Sequence, residues 1–89
     1  MYLEARNKVY REYVNALREA VKTESIEELT DVIKKYKILF DDFRVEEFIN
    51  TSEEIKRFTL YKIMLSMNIS DEYNKKAISF LKKYKGESA

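Results

Sequence analysis

The chain has 89 residues, of which 45% are hydrophobic and 37% charged, and its formal net charge is +1 at pH 7. It contains neither Cys nor His, which excludes disulfide bonds, zinc sites of the Cys/His type and catalysis by a His base or a Cys nucleophile. The hydrophobic content is too high for a disordered chain. The composition therefore predicts a single folded domain over residues 1–89.

The fold class follows from which turn-forming and helix-capping residues the sequence contains. Proline is absent and Gly86 is the only glycine, so the Asn-Gly, Asp-Gly and Gly-Gly pairs that close β-hairpins do not occur. Hydrophobic residues recur at helical spacing, and residues that cap helices separate the periodic segments. The pattern predicts an all-α fold, a compact antiparallel bundle of four longer helices plus one short connecting helix.

The first predicted helix runs from about Tyr2 to Lys22, and the polar residues 23–25 end it. An apolar stripe marks its inner face, and Tyr13 and Ala20 widen this stripe. The stripe consists of Leu3, Tyr10, Val14, Leu17 and Val21.

The second predicted helix begins after a capping box in which the Ser25 hydroxyl and the Glu28 carboxylate each accept from the other residue's amide. This helix spans about Ile26 to Phe40, and Ile38 lies off its inner face. The inner face consists of Ile26, Leu29, Ile33, Tyr36 and Phe40.

The short connecting helix is predicted from about Phe43 to Ile49, because the aspartate pair at residues 41–42 interrupts the preceding pattern. Phe43 and Phe48 are expected to face inward. Asp42 and Glu46 lie one turn apart, but a divalent cation needs more oxygen ligands than these two carboxylates supply. The pair is therefore interpreted as part of a solvated first turn, and no metal site is predicted.

The fourth predicted helix follows a second capping box, at Thr51 and Glu54, and runs from about Ser52 to Ile69. Its hydrophobic residues form two nearly opposite faces. One face holds Leu60, Ile63, Met64 and Met67, and the other holds Phe58, Tyr61, Leu65 and Ile69. Two interpretations are open: neighbouring helices of the same chain enclose this helix, or one of its faces docks another chain.

The docking interpretation rests on the small size of the chain, which leaves little mass to cover both faces of one helix. It predicts contact with another protein or with a second copy of the chain, and the acidic stretch Glu24–Glu54 forms the rim. The predicted partner-binding residues are Phe58, Tyr61, Leu65, Ile69 and Ile38.

The fifth predicted helix is capped by Ser70, carries Asp71 and Glu72 in its first turn, and ends at Gly86 as a C-cap. Its inner stripe consists of Tyr73, Ala77, Phe80, Leu81 and Tyr84.

Charge is distributed unevenly along the chain. Residues 24–54 contain four basic and ten acidic residues, a net charge of −6, whereas residues 55–86 contain eight basic and two acidic residues, a net charge of +6. The lysines available for nucleic-acid phosphates are Lys75, Lys76, Lys82, Lys83 and Lys85. Nucleic-acid binding is the less favoured alternative, because the pI is only 7.8 and the fifth helix has neither Arg nor Gln to read bases. The same charge asymmetry also suits self-assembly or a dipolar partner.

Taken together, these patterns predict a non-enzymatic protein–protein interaction module, such as an adaptor, an inhibitor or a small subunit of a larger complex. No catalytic residue, cofactor or metal is predicted. A cytoplasmic location without a membrane partner is expected, because the chain lacks Cys, a signal-peptide pattern and an apolar run of membrane-spanning length.

Overall fold

The computed structural model describes the backbone of residues 2–88 and the side chains of residues 4–84. This part of the chain folds into five α-helices and one short 3-10 helix and contains no strand, which confirms the predicted all-α fold. The elements are α1 (Tyr2–Lys22), α2 (Ile26–Lys35), the 3-10 helix (Lys37–Leu39), α3 (Asp42–Asn50), α4 (Glu53–Met67) and α5 (Asp71–Ser88). None of the described helices is both long and apolar enough to cross a membrane.

Helix α1 has the predicted bounds, and Leu17, Ala20 and Val21 are buried as expected. The expectation for Tyr10 was wrong, because its side chain is 56% exposed. By residue count α1 is about 31 Å long, which makes it longer than both of the helices that it packs against, α2 and α4. Leu3 lies outside the described side chains.

Helix α2 ends at Lys35, five residues before the predicted end, because Tyr36 leaves the helical conformation with φ −106° and ψ 28°. The rings of Tyr36 and Phe40 both pack edge-on against Tyr13, with centroid distances of 5.8 and 5.2 Å. These contacts stabilise the 3-10 segment between the two residues and hold it against α1.

The N-terminus of α2 shows half of the predicted capping box. The Ser25 hydroxyl accepts a hydrogen bond of 3.1 Å from the Glu28 amide, as expected. The Glu28 carboxylate instead accepts a hydrogen bond of 2.7 Å from the Thr23 hydroxyl. This bond ties the start of α2 to the turn that follows α1.

Helix α3 begins one residue earlier than predicted, with the Asp41 carboxylate accepting from the Phe43 amide at 3.0 Å. The expectation that Phe43 faces inward was wrong, because its side chain is 73% exposed and Val45 is buried instead. Residues two apart on a helix point about 200° away from each other, so burial of Val45 turns Phe43 toward solvent.

Helix α4 is capped by Ser52, whose hydroxyl accepts from the Ile55 amide at 3.3 Å. The capping box predicted at Thr51 and Glu54 was wrong by one residue. Thr51 instead ends α3, where its amide donates to the Phe48 carbonyl at 3.4 Å. Thr51 therefore ends α3, and the next residue, Ser52, caps the start of α4.

This division gives a stability prediction. Substitution Ser52→Ala should lower the free energy of unfolding by about 1 kcal/mol, because it removes the cap of α4. Substitution Thr51→Ala should change it by less than about 0.5 kcal/mol, because no cap depends on that hydroxyl. Urea denaturation followed by circular dichroism measures both values. Equal losses in the two variants would contradict the assignment.

Helix α4 packs against α1, α2 and α5, which cover part of its circumference, whereas Ile55 and Leu65 on this helix are exposed. Its side chains Leu60 and Met64 are fully buried at the centre of the molecule. The buried core cluster consists of Leu17, Val21, Leu29, Leu60, Tyr61, Met64 and Ala77. The packing of α4 on α5 covers Phe58 and Tyr61 of the second predicted face, whereas Leu65 on the same face is exposed.

Helix α5 begins as predicted, because the Ser70 hydroxyl accepts from the Tyr73 amide at 3.4 Å. Ala77 is fully buried, and the other four residues of the predicted inner stripe are half-buried. The C-cap expected at Gly86 was wrong, because the helix continues to Ser88. One glycine in a helix costs about 0.5–1 kcal/mol relative to alanine, too little to force an end there.

Candidate docking surface

Two of the predicted partner-binding residues, Phe58 and Tyr61, pack against α5. The ring of Tyr61 stacks on Phe80 with centroids 4.5 Å apart and planes 26° apart, and Tyr61 is buried. The ring of Phe58 lies 4.5 Å from that of Tyr84. Contacts within the chain therefore occupy this part of α4.

The other three predicted residues lie on α4, just beyond its end, and on the 3-10 helix. Leu65 is 36% exposed on α4, and Ile69 is half-buried beyond the end of that helix. Ile38 is exposed on the 3-10 helix, beside a cavity of about 160 Å³ against Val9 of α1 that no residue of α4 lines. Binding of a partner by these residues stays a prediction.

A polar network lies at the edge of the covered face. Glu24, in the turn between α1 and α2, has a positive φ of 56°. Its carboxylate accepts a hydrogen bond of 2.7 Å from the Tyr61 hydroxyl and pairs with the Lys76 ammonium at 3.1 Å. One carboxylate thus joins that turn to α4 and α5.

The network shifts the titration of its members. The hydrogen bond from Tyr61 is the main cause that lowers the pKa of Glu24, and Lys76 acts in the same direction. Burial, followed by the bond to Glu24, raises the pKa of the Tyr61 phenol. A phenol with a raised pKa stays protonated at neutral pH, so this arrangement suits helix attachment better than acid–base chemistry.

A groove of about 840 Å³ lies between α1 and α4. Tyr10 and Val14 line one wall, and Ile55 and Ile63 line the other. Lys62 is the one charged side chain among its lining residues. The described residues that line it are Tyr10, Tyr13, Val14, Leu17, Phe40, Ile55, Phe58, Thr59, Lys62, Ile63, Ser66 and Met67.

A second groove, of about 610 Å³, lies between α3 and α4 and includes Phe43 and Glu47. Ile55 and Thr59 line both grooves, so the two join into one continuous surface. We name this surface the apolar face. Its exposed large hydrophobic residues are Tyr10, Phe40, Phe43 and Ile55.

The apolar face carries most of the exposed large hydrophobic side chains. Seven large hydrophobic residues are exposed in the described part of the chain, and four of them lie on this face. Single exposed hydrophobic residues are ordinary, whereas a contiguous group is typical of an interaction site. The candidate site is thus centred on Ile55, which is 46% exposed, and not on Tyr61.

Sequence reasoning missed Ile55, although a signal was present. Ile55 lies four residues before Thr59 and seven before Lys62, so these three residues share one side of the helix. The signal is that Ile55 is an apolar residue on a side that is otherwise polar. Helical spacing places Tyr10 in the core stripe of α1 and Phe43 on the inner face of α3. Only the packing of the helices reveals that Ile55, Tyr10 and Phe43 reach one surface.

The lysines of the nucleic-acid alternative lie on α5. Lys75, Lys82 and Lys83 are exposed, and Lys76 is paired with Glu24. Lys85 lies outside the described side chains. Binding of these lysines to nucleic acid stays a prediction.

No group of three or more Asp and Glu side chains close enough to hold a metal ion occurs among the described residues. Comparison of the chain with protein-family models, curated proteins and solved structures finds no match. The surface of the chain itself is therefore the source of information about its function.

Proposed function

We propose that the protein is a non-enzymatic protein–protein interaction module that receives a helix of a partner chain on the apolar face. One observation carries the proposal: four exposed large hydrophobic residues lie together on a single grooved surface. A groove between helices that is lined by such residues is a common receptor for the apolar side of an amphipathic helix.

The chemistry of the face supports binding over catalysis. Tyr13 lines the groove between α1 and α4, and burial, followed by the nearby Tyr10, raises the pKa of its phenol. At neutral pH Tyr13 is therefore protonated and acts as an aromatic wall and not as a base. We also propose a cytoplasmic location, since a chain without Cys is suited to a reducing compartment.

Site-specific photo-cross-linking in the native host tests this proposal. A photoreactive phenylalanine analogue at position 55 should give a discrete cross-linked product, because Ile55 lies at the centre of the apolar face. The same analogue at position 78 is the matched control, since Ile78 is a similarly exposed residue on α5 that lines neither groove. Electrophoresis and mass spectrometry identify the products.

A second substitution makes the test specific. Tyr10→Arg should abolish the product at position 55 and leave the circular dichroism unchanged, because Tyr10 is largely exposed. Two outcomes would refute the proposed function: no discrete product at position 55, or equal products at positions 55 and 78.

A further inference from the structure

We propose that the apolar face binds a second copy of the chain, with the two copies facing each other across a two-fold axis. This inference rests on the proposed function and specifies its partner. It follows from the distribution of charge around the apolar face: the half around the groove between α1 and α4 is basic, and the half formed by α3 has an excess of carboxylates over a single arginine.

The basic half surrounds the groove between α1 and α4. Val14 forms part of its wall, and Arg11 and Arg18 lie three residues before and four residues after Val14 on the exposed side of α1. Lys62 supplies the charge on the wall formed by α4. None of the residues that line this groove is acidic.

The acidic half is formed by α3. Phe43, Glu46 and Glu47 occupy one side of this helix, because residues three and four apart are neighbours on a helix surface. All three are exposed, but only Phe43 and Glu47 line the groove between α3 and α4, together with Asp41 and with Arg44, the one basic residue of the helix. Residues 41–50 hold four carboxylates and one arginine, a net charge of −3, so the helix as a whole is acidic. An exposed phenylalanine with carboxylates on the next turn is the pattern of an amphipathic helix suited to a basic groove.

The two halves complement each other across a two-fold axis. In a symmetric dimer each contact occurs twice, so α3 of each copy meets the groove between α1 and α4 of the other. Phe43 then fills an apolar groove, and Glu46 and Glu47 approach Arg11 and Arg18. The apolar contact supplies affinity, and the paired charges fix the orientation.

Light scattering and sedimentation velocity on the purified full chain test the inference. The mass should rise with concentration from the 10.7 kDa of one chain toward twice that value. Reversing the basic half with Arg11→Glu and Arg18→Glu should raise the dissociation constant at least about tenfold, because like charges then meet across the interface. Reversing the acidic half with Glu46→Lys and Glu47→Lys should do the same.

Combining the two reversals should restore the dimer, because opposite charges again face each other. The matched control is Lys75→Glu with Lys82→Glu, which changes the net charge equally on α5 and should leave the dissociation constant unchanged. Circular dichroism confirms that every variant is folded. Failure of the combined variant to dimerise would contradict the two-fold arrangement, as would a loss of association in the control.

A mass of one chain at every concentration would overturn the inference. The cross-link at position 55 shows whether only the second copy is ruled out or the proposed function as well. A product of twice the chain mass supports the second copy. A product with a different protein overturns the second copy and leaves the proposed function standing, and no product refutes both.

Discussion

The substitution Leu60→Ala is expected to lower the free energy of unfolding by about 3–5 kcal/mol, the upper part of the range for buried leucines. Leu60 has no exposed surface, and it lies in the core cluster on a helix that packs against three others. Helices fixed on several sides close a cavity poorly, so most of the lost contact is not recovered. A domain of this size has a total stability of about 5–10 kcal/mol, so one substitution removes a large part of it.

Leu65→Ala is the matched control for this prediction. It makes the same chemical change on the same helix, but Leu65 is 36% exposed and loses less burial on truncation. Its expected cost is below about 1.5 kcal/mol. Urea denaturation followed by circular dichroism gives both values. A loss at Leu60 no larger than that at Leu65 would show that α4 is not the centre of the core.

The helices were predictable from sequence because the signals that define them are local. The Ser25 hydroxyl accepts from an amide three residues away, and the Ser70 hydroxyl does the same. The apolar stripe of α1 likewise requires only helical geometry. Where two adjacent hydroxyl residues compete, as at Thr51 and Ser52, the local signal does not discriminate between them, and the prediction was wrong by one residue.

The candidate site was less predictable because it depends on how the helices are placed. The exposure of Tyr10 follows from the open groove between α1 and α4 that it lines, and that of Phe43 from the burial of Val45 on the other side of α3. Periodicity shows which residues share one side of a helix, but not which helix covers that side. Tyr61 is an example, because periodicity does not show that Phe80 of α5 covers its ring.

The Glu24 network could not be predicted from the sequence either, because its members lie far apart in the chain. The Tyr61 hydroxyl and the Glu24 carboxylate are 37 positions apart in the chain, and Lys76 is 52 positions from Glu24. In the sequence, Glu24 is one of three polar residues that end α1. Its pairing requires the positive φ of that turn and the approach of α4 and α5, neither of which leaves a local signal.

The second large effect is expected at this network. Tyr61→Phe should lower the free energy of unfolding by about 1–2 kcal/mol at neutral pH, because it removes a hydrogen bond to a charged group and preserves the stack on Phe80. The cost stays in this range because Glu24 keeps its pairing with Lys76 and partial access to water. Tyr73→Phe on α5 is the matched control and should have little effect, since the hydrogen bond shown for Tyr73 is made by its backbone amide and the ring 5.9 Å from the Lys76 ammonium is retained.

The pH dependence distinguishes this hydrogen bond from simple packing. The pKa of Glu24 is lower in the folded protein, chiefly through the bond from Tyr61, so the unfolded chain binds more protons as the pH falls. The stabilisation is therefore complete above the ordinary pKa of 4.5 for this carboxyl and is lost as the pH falls through the folded pKa. The pKa of Tyr61 is raised, chiefly by burial, so its contribution is lost at the opposite end, as the pH rises above the ordinary value of 10.0.

The difference in unfolding free energy between the native chain and the Tyr61→Phe variant should therefore be largest from about pH 6 to 8 and shrink toward pH 3. Glu24→Gln should show a similar loss of acid dependence, because an amide does not titrate in this range. Glu12→Gln, on the exposed side of α1, should retain the native acid profile. A Tyr61→Phe deficit that stays constant from pH 3 to 8 would mean that the hydroxyl contributes through packing alone and not through the charge of Glu24.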